Sequence, residues 1–174
     1  KTNKLKTRIF SQSKKKNFLT FNSRLPIITE KKKFIEFEKG KWVKRTDIKP
    51  INHKYRNFVK ILKSFKNCKY TWGGKSYKGI DCSALIQLYY LYNNKFFPRD
   101  TKDQISFKKG KKKLIKFSKG DIIYWKGHVA VCLNRNELVH AYGPRKKVLI
   151  MNIKKTIELI NETAKLKVKK IIKI

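Results

Sequence analysis

Tyr70-Thr71-Trp72-Gly73-Gly74, then Gly79-Ile80-Asp81-Cys82-Ser83-Ala84-Leu85-Ile86-Gln87-Leu88, places a cysteine at the first turn of an apolar helical segment, directly after a glycine-punctuated loop. Peptide N–H groups at a helix start lack partners and carry partial positive charge, so a thiol there is expected to lose its proton readily. The thiolate is the nucleophile that the thiol is not. Two histidines follow in strand-like sequence, His128 and His140, to serve as a base and a group that orients it. Together these residues outline a cysteine hydrolase.

Before the loop, Phe58, Ile61, Leu62 and Phe65 recur at helical spacing and predict an amphipathic helix over 55–66. Residues 70–80 read as loop, 82–92 as a second helix, and 98–104 as a loop entering a helical turn. Strands are expected at 121–125, 128–133, 137–141 and 147–151. A helix over 154–163 comes next, then an edge strand over 166–173 where Lys alternates with apolar residues. Helices ahead of an antiparallel sheet describe an α+β domain. Residues 1–50 differ. Short apolar runs at 5–10, 18–21, 25–29, 34–37 and 42–44, broken by Lys-rich turns and Gly40 and closed by Pro50, predict five strands and a small all-β barrel. The expected domains are therefore 1–50 and 51–174.

His128 starts one predicted strand and His140 ends the next, with Asn134-Arg135-Asn136 as the turn, so a hairpin brings both imidazoles to its open end. His53 lies in the linker without such context. Cys132, within Val129-Ala130-Val131-Cys132-Leu133, reads as a small buried apolar residue, and Cys68 as structural. Three scattered cysteines make no disulfide framework, and three separated histidines lack ligand spacing, so neither a metal nor another cofactor is expected.

The formal net charge is +35. Of the basic residues 39 are Lys and seven Arg, spread along the chain with short clusters at 14–16, 31–33 and 111–113. Specific phosphate and base recognition favours Arg forks gathered on one face, so this charge reads as a solvated, compositionally biased surface with no specific nucleic-acid partner. It also suits attraction of acidic peptides. Apolar content of 40% with 13% aromatic residues supports a packed core rather than disorder. No run of 18 apolar residues exists, so no transmembrane segment is expected. The chain opens at Lys1 with neither Met nor an apolar leader, which decides nothing about compartment.

Six ordered blocks resemble the NlpC/P60 family of bacterial cell-wall cysteine peptidases: Tyr70-Thr71-Trp72-Gly73-Gly74, Gly79-Ile80-Asp81-Cys82-Ser83, Pro98-Arg99-Asp100-Thr101, Gly120-Asp121-Ile122-Ile123-Tyr124-Trp125, Gly127-His128-Val129-Ala130-Val131 and Leu138-Val139-His140-Ala141. The resemblance covers roughly residues 54–174. Ala84 departs from the family's usual Asp-Cys-Ser-Gly. Within the family, the chain is most similar to γ-D-glutamyl dipeptidyl-peptidases that carry bacterial SH3-like domains. The run Lys41-Trp42-Val43-Lys44-Arg45-Thr46-Asp47-Ile48-Lys49-Pro50 is similar to the close of such a module.

The resemblance implies a papain-like domain over 51–174 preceded by one SH3-like barrel over 1–50. It assigns Cys82 as nucleophile, His128 as base and His140 as the group that fixes the His128 tautomer. The backbone N–H of Cys82, by geometry, and the Tyr70 hydroxyl, by resemblance, would hold the oxyanion. Asp81 reads from the residues alone as a helix cap, and from the resemblance as the holder of the free amine of L-Ala. Ser83 and Thr101 would bind the D-Glu α-carboxylate, and Trp72 would line the cleft. The implied substrate is a murein peptide cut between γ-D-Glu and a diamino acid through a thioester, by a monomer. A dipeptidyl-peptidase would need a free amine and act on recycled peptides in the cytoplasm; SH3-like modules of relatives, which wall the cleft, favour this form. An endopeptidase would act on glycan-attached stems, in the periplasm or outside. A non-catalytic wall- or nucleic-acid-binding module is the remaining alternative, and the joint presence of Cys82, His128 and His140 argues against it.

Overall fold

A computed structural model of the chain describes residues 1–13, 15–112 and 116–174, so the lysine clusters at 14–16 and 111–113 fall partly outside the described residues. The chain divides into two compact units, Lys1–Arg56 with Tyr92–Asn94, and Asn57–Leu91 with Lys95–Ile174.

The first unit holds β1 (Lys6–Ile9), β2 (Asn17–Thr20), β3 (Thr29–Glu30), β4 (Phe34–Glu38) and β5 (Lys41–Lys44). Four of the five expected strands form. The run 25–29 does not, and only its last residue enters β3. Pro26 within it cannot donate to a ladder, which is the physical reason an apolar run failed as a strand. The strands make two antiparallel sheets, β1-β2 and β3-β4-β5, rather than one continuous ladder. A bridge between Phe10 and Trp42 links them. Ile35, Phe37 and Val43 form a small core against Ile9, Leu19, Leu25 and Ile48.

The second unit begins with α1 (Phe58–Ser64), three residues later than expected because the Asn57 side chain caps it by accepting from Lys60 N–H. A tiny hairpin, β6 (Lys75–Ser76) with β7 (Gly79–Ile80), interrupts the glycine loop. Then come α2 (Cys82–Tyr92), α3 (Thr101–Phe107), β8 (Asp121–Trp125), β9 (His128–Cys132), β10 (Glu137–Tyr142), β11 (Lys147–Asn152), α4 (Ile153–Ala164) and β12 (Lys170–Lys173). The five strands form one antiparallel sheet in the order β11-β10-β9-β8-β12, with β12 at an edge as its Lys-apolar alternation suggested. The α+β class is therefore observed.

All five residues of β8 are buried, its apolar run Ile122-Ile123-Tyr124-Trp125 supplying side chains to both covered faces of the sheet. One face carries Ile123, Trp125, Ala130, Cys132, Leu138 and Tyr142 against Ile153 and Ile160 of α4. On the other face, the Tyr124 hydroxyl donates to Gln104 Oε1 of α3 at 3.4 Å. Fully burying each such large side chain contributes about 1.5–3 kcal/mol, so this two-sided core is what fixes the strands that carry the site. Among the described residues no helix is long and apolar enough to cross a membrane.

Candidate active site

The Trp72-Gly73-Gly74 loop is held in one shape before α2 begins. Gly73 has φ +72°, and a Cβ on Gly74 would fall 2.6 Å from the Gly79 carbonyl oxygen, so both positions need glycine. Asp81 ties this loop to the helix. Its Oδ2 accepts from Gly73 N–H at 3.0 Å and its Oδ1 from Ala84 N–H at 2.8 Å. The second bond is an N-terminal cap. The same carboxylate accepts from the Ser83 hydroxyl at 3.1 Å and from Arg99 Nη1 and Nη2, at 3.0 and 2.6 Å. Arg99 also donates to Ser83 Oγ at 3.0 Å.

Cys82 is buried at the start of α2. Burial pushes its thiol up from the ordinary range, and the charge of Asp81 adds to this. Hydrogen bonds from the backbone N–H groups of Val129 and Ser83 and from Thr101 pull the other way without prevailing. The easily ionised thiol expected from the helix start is thus opposed by burial, which outweighs the hydrogen bonds that favour the thiolate. The Val129 contact sets the sulfur beside β9, one residue past His128.

Lys126 and Gly127 make the tight turn between β8 and β9, with Trp125 paired to His128. Val139 lies opposite Val131 and Leu138 opposite Cys132, a register that places His140 diagonal to His128 on one face. Their rings meet as expected, His128 Nε2 to His140 Nδ1 at 2.9 Å. His140 is fully buried and stacks on Tyr142 with centroids 4.7 Å apart. Burial holds His128 at about 4, and burial together with His128 holds His140 at about 3, so both imidazoles are neutral near pH 7. With Nε2 engaged, Nδ1 of His128 is the nitrogen left for a substrate or thiol proton.

Two cavities meet here. One of about 220 Å³ is lined by Trp72, Asp81, Cys82, Ser83, Thr101 and Lys102. The other, about 620 Å³, is lined by His128, Lys126, Tyr142, Arg145, Leu159 and Ile160. Tyr70 and Gly127 line both. Burial, then the neighbouring Cys82 and Asp81, raises the Tyr70 phenol, so it keeps its proton and can donate. Trp72 is 83% exposed at the rim of the smaller cavity. The eight site residues named from the sequence therefore gather in one region, with Ser83 engaged by Asp81 and Arg99, and Thr101 at the Cys82 sulfur.

Three residues beside the site carry no signal in the sequence. Arg99 lay inside the block Pro98-Arg99-Asp100-Thr101, where its proximity to Asp81 had no local signal. Lys102 was one lysine among 39. Met151 lies 3.2 Å from His140 Nε2 by its sulfur, a contact visible only once β11 pairs with β10.

Comparison with known proteins places this geometry in a family. The model of the NlpC/P60 family matches residues 67–162. The chain is 38% identical over 90 residues to dipeptidyl-peptidase 6 of Lysinibacillus sphaericus, a match covering 51% of this chain and 33% of that protein. It is similar in structure to an NlpC/P60 family protein from Bacillus cereus, with a TM-score of 0.71 at 23% identity, covering 87% of this chain and 57% of the other. The peptidoglycan hydrolase RipB of Mycobacterium tuberculosis gives 0.54 at 19% identity, with 68% of this chain and 62% of the other covered. The chain thus spans about a third of the length of the curated relative.

Proposed function

The chain belongs to the NlpC/P60 family, and from that premise we propose that it is a cysteine peptidase that hydrolyses the γ-D-Glu–diamino acid bond of murein peptides and releases L-Ala-γ-D-Glu. The observation that carries this reading is the division of labour between the two cavities. Cys82 lines one, His128 lines the other, and Tyr70 spans both. An acyl group held on the Cys82 side leaves its departing amine on the His128 side, where a proton carrier is needed.

In the proposed mechanism His128 Nδ1 takes the Cys82 proton as the sulfur attacks the γ-carbonyl carbon. The Cys82 N–H and Tyr70 hydroxyl stabilise the oxyanion. His128 then gives its proton to the departing amine, leaving a thioester. Water, deprotonated by His128, attacks that thioester and regenerates the thiol. His140 holds the His128 ring throughout. Lys102 offers a cation for the D-Glu α-carboxylate, and the Thr101 hydroxyl, which donates to the Cys82 sulfur in the resting protein, turns to that carboxylate when substrate binds. The relative's name, dipeptidyl-peptidase 6, supports cleavage two residues from a free amine, with Asp81 as its partner and an SH3-like identity for the first unit.

One observation favours the endopeptidase alternative. The Asp81 carboxylate is already paired with Arg99, which leaves it less charge to offer an ammonium. Both readings are tested by incubating the protein with L-Ala-γ-D-Glu-diaminopimelate, free or N-acetylated, and identifying products by mass spectrometry. A dipeptidyl-peptidase should cleave the free peptide at least about tenfold faster, since a charge-assisted hydrogen bond contributes about 1.5–3 kcal/mol. Equal cleavage supports the endopeptidase, and no cleavage of either overturns the hydrolase.

A further inference from the structure

Each neutral imidazole carries one proton on one of two nitrogens, and only one arrangement leaves His128 able to accept from Cys82. In the first register His128 Nε2–H donates to His140 Nδ1, and His128 Nδ1 keeps its lone pair. In the reversed register His140 Nδ1–H donates to His128 Nε2, and the His128 proton sits on Nδ1, where no thiol proton can be taken. The 2.9 Å contact between the rings is compatible with both.

The neighbour on the far side is not. The sulfur of Met151 lies 3.2 Å from His140 Nε2, and a thioether accepts but cannot donate. A proton on His140 Nε2 satisfies that contact, whereas a lone pair there would face another lone pair beside a fully buried ring. Sheet register supports the placement. Leu149 lies opposite His140 and Met151 opposite Leu138, so Met151 is diagonal to His140 just as His140 is diagonal to His128. His128, His140 and Met151 therefore step across β9, β10 and β11 on one face.

We propose that Met151 is a positioning residue which selects the Nε2–H tautomer of His140 and, through it, the base-competent tautomer of His128. The inference rests on His128 being the base of the peptidase described above, but the tautomers belong to the resting protein and are measurable without substrate. Met151 also packs against the core beneath α4, so the test must separate proton placement from packing.

Two-bond 15N–1H NMR spectra of the His-labelled full chain near pH 7 should show both His128 and His140 as Nε2–H tautomers. An Nδ1–H form of either in the unmodified protein overturns the proposal. Met151→Leu nearly conserves volume. It should let Nδ1–H forms appear and lower kcat by about two- to tenfold with KM unchanged. Met151→Gln, whose amide oxygen accepts, should restore both. Tautomers and kcat unmoved in a folded Met151→Leu protein would overturn the proposal. Should the tautomers respond while no murein peptide is cut, the assignment of Met151 stands and the peptidase reading falls.

Discussion

Arg99→Gln should cost the second unit more stability than any exposed ion pair warrants. Arg99 holds Asp81 by two hydrogen bonds, at 2.6 and 3.0 Å, and Asp81 in turn caps α2 and anchors the Gly73 loop. Without the guanidinium, a carboxylate only 8% exposed keeps its backbone donors and loses its counter-charge. Breaking a fully buried pair costs about 3–5 kcal/mol. Because the Arg99 side chain is 29% exposed, water makes good part of the loss, leaving about 2–3 kcal/mol. At roughly 2–4 °C per kcal/mol for a chain of this size, Tm should fall by about 4–12 °C. At a net charge of +35, loss of one cation also relieves repulsion, so the measurement is repeated in about 1 M NaCl, where the screening length is about 3 Å. Circular dichroism melts of Arg99→Gln, Asp81→Asn and the double variant complete the cycle. The double variant should recover part of the loss. A Tm change under about 1 °C, a loss that disappears in salt, or simple additivity of the two substitutions would refute the reasoning.

Cys82→Ala should be folded and inactive while Cys68→Ser stays active, and iodoacetamide alkylation of Cys82 should keep accelerating beyond pH 9, since its thiol lies above the ordinary 9.0; a plateau near pH 7 would contradict the burial account. Stability should also depend on pH through the histidine pair. Their folded values, about 4 and about 3, lie below the ordinary 6.5, so the unfolded chain binds protons first and stability falls as pH drops from about 6.5 toward 3. His140→Gln should flatten that fall in a pH series of melts, and an unchanged slope would count against the depressed values. On the departing side, Lys126 and Arg145 line the larger cavity, so a leaving residue whose side chain ends in a carboxylate, as in diaminopimelate, should be preferred to lysine. The kcat/KM ratio of the two peptides should shrink in Lys126→Gln with Arg145→Gln, and a ratio that stays put removes these cations from specificity.

The elements legible in the sequence were those whose pattern is local. The helix at 82–92 is bounded by the Gly-rich loop before it, and β8 to β11 announce themselves by apolar runs separated by short turns. What failed was local evidence opposed by a single residue: Pro26 in the run 25–29, and Asn57, which starts α1 later than its apolar spacing suggested. The Gly120-Asp121 block, by contrast, proves to be structural. Asp121 accepts from Ser118 N–H at 2.7 Å and from Lys173 Nζ at 2.9 Å, pinning the start of β8 to β12 across a long stretch of chain.

The candidate site is legible in its residue types and not in its electrostatics. A cysteine at a helix start predicts a thiol that ionises easily, because the helix end can be read from sequence. Desolvation cannot be read that way, since it depends on which strand covers the sulfur. Here it raises Cys82 and lowers His128, so burial disfavours a preformed thiolate–imidazolium pair. In the proposed mechanism, proton transfer then accompanies attack on the carbonyl, when the oxyanion donors gain a charge to stabilise. In such a site the proton's direction is decided beforehand by which His128 nitrogen is bare. That places weight on His140 and Met151, residues that need touch no substrate to determine whether the thiol can react.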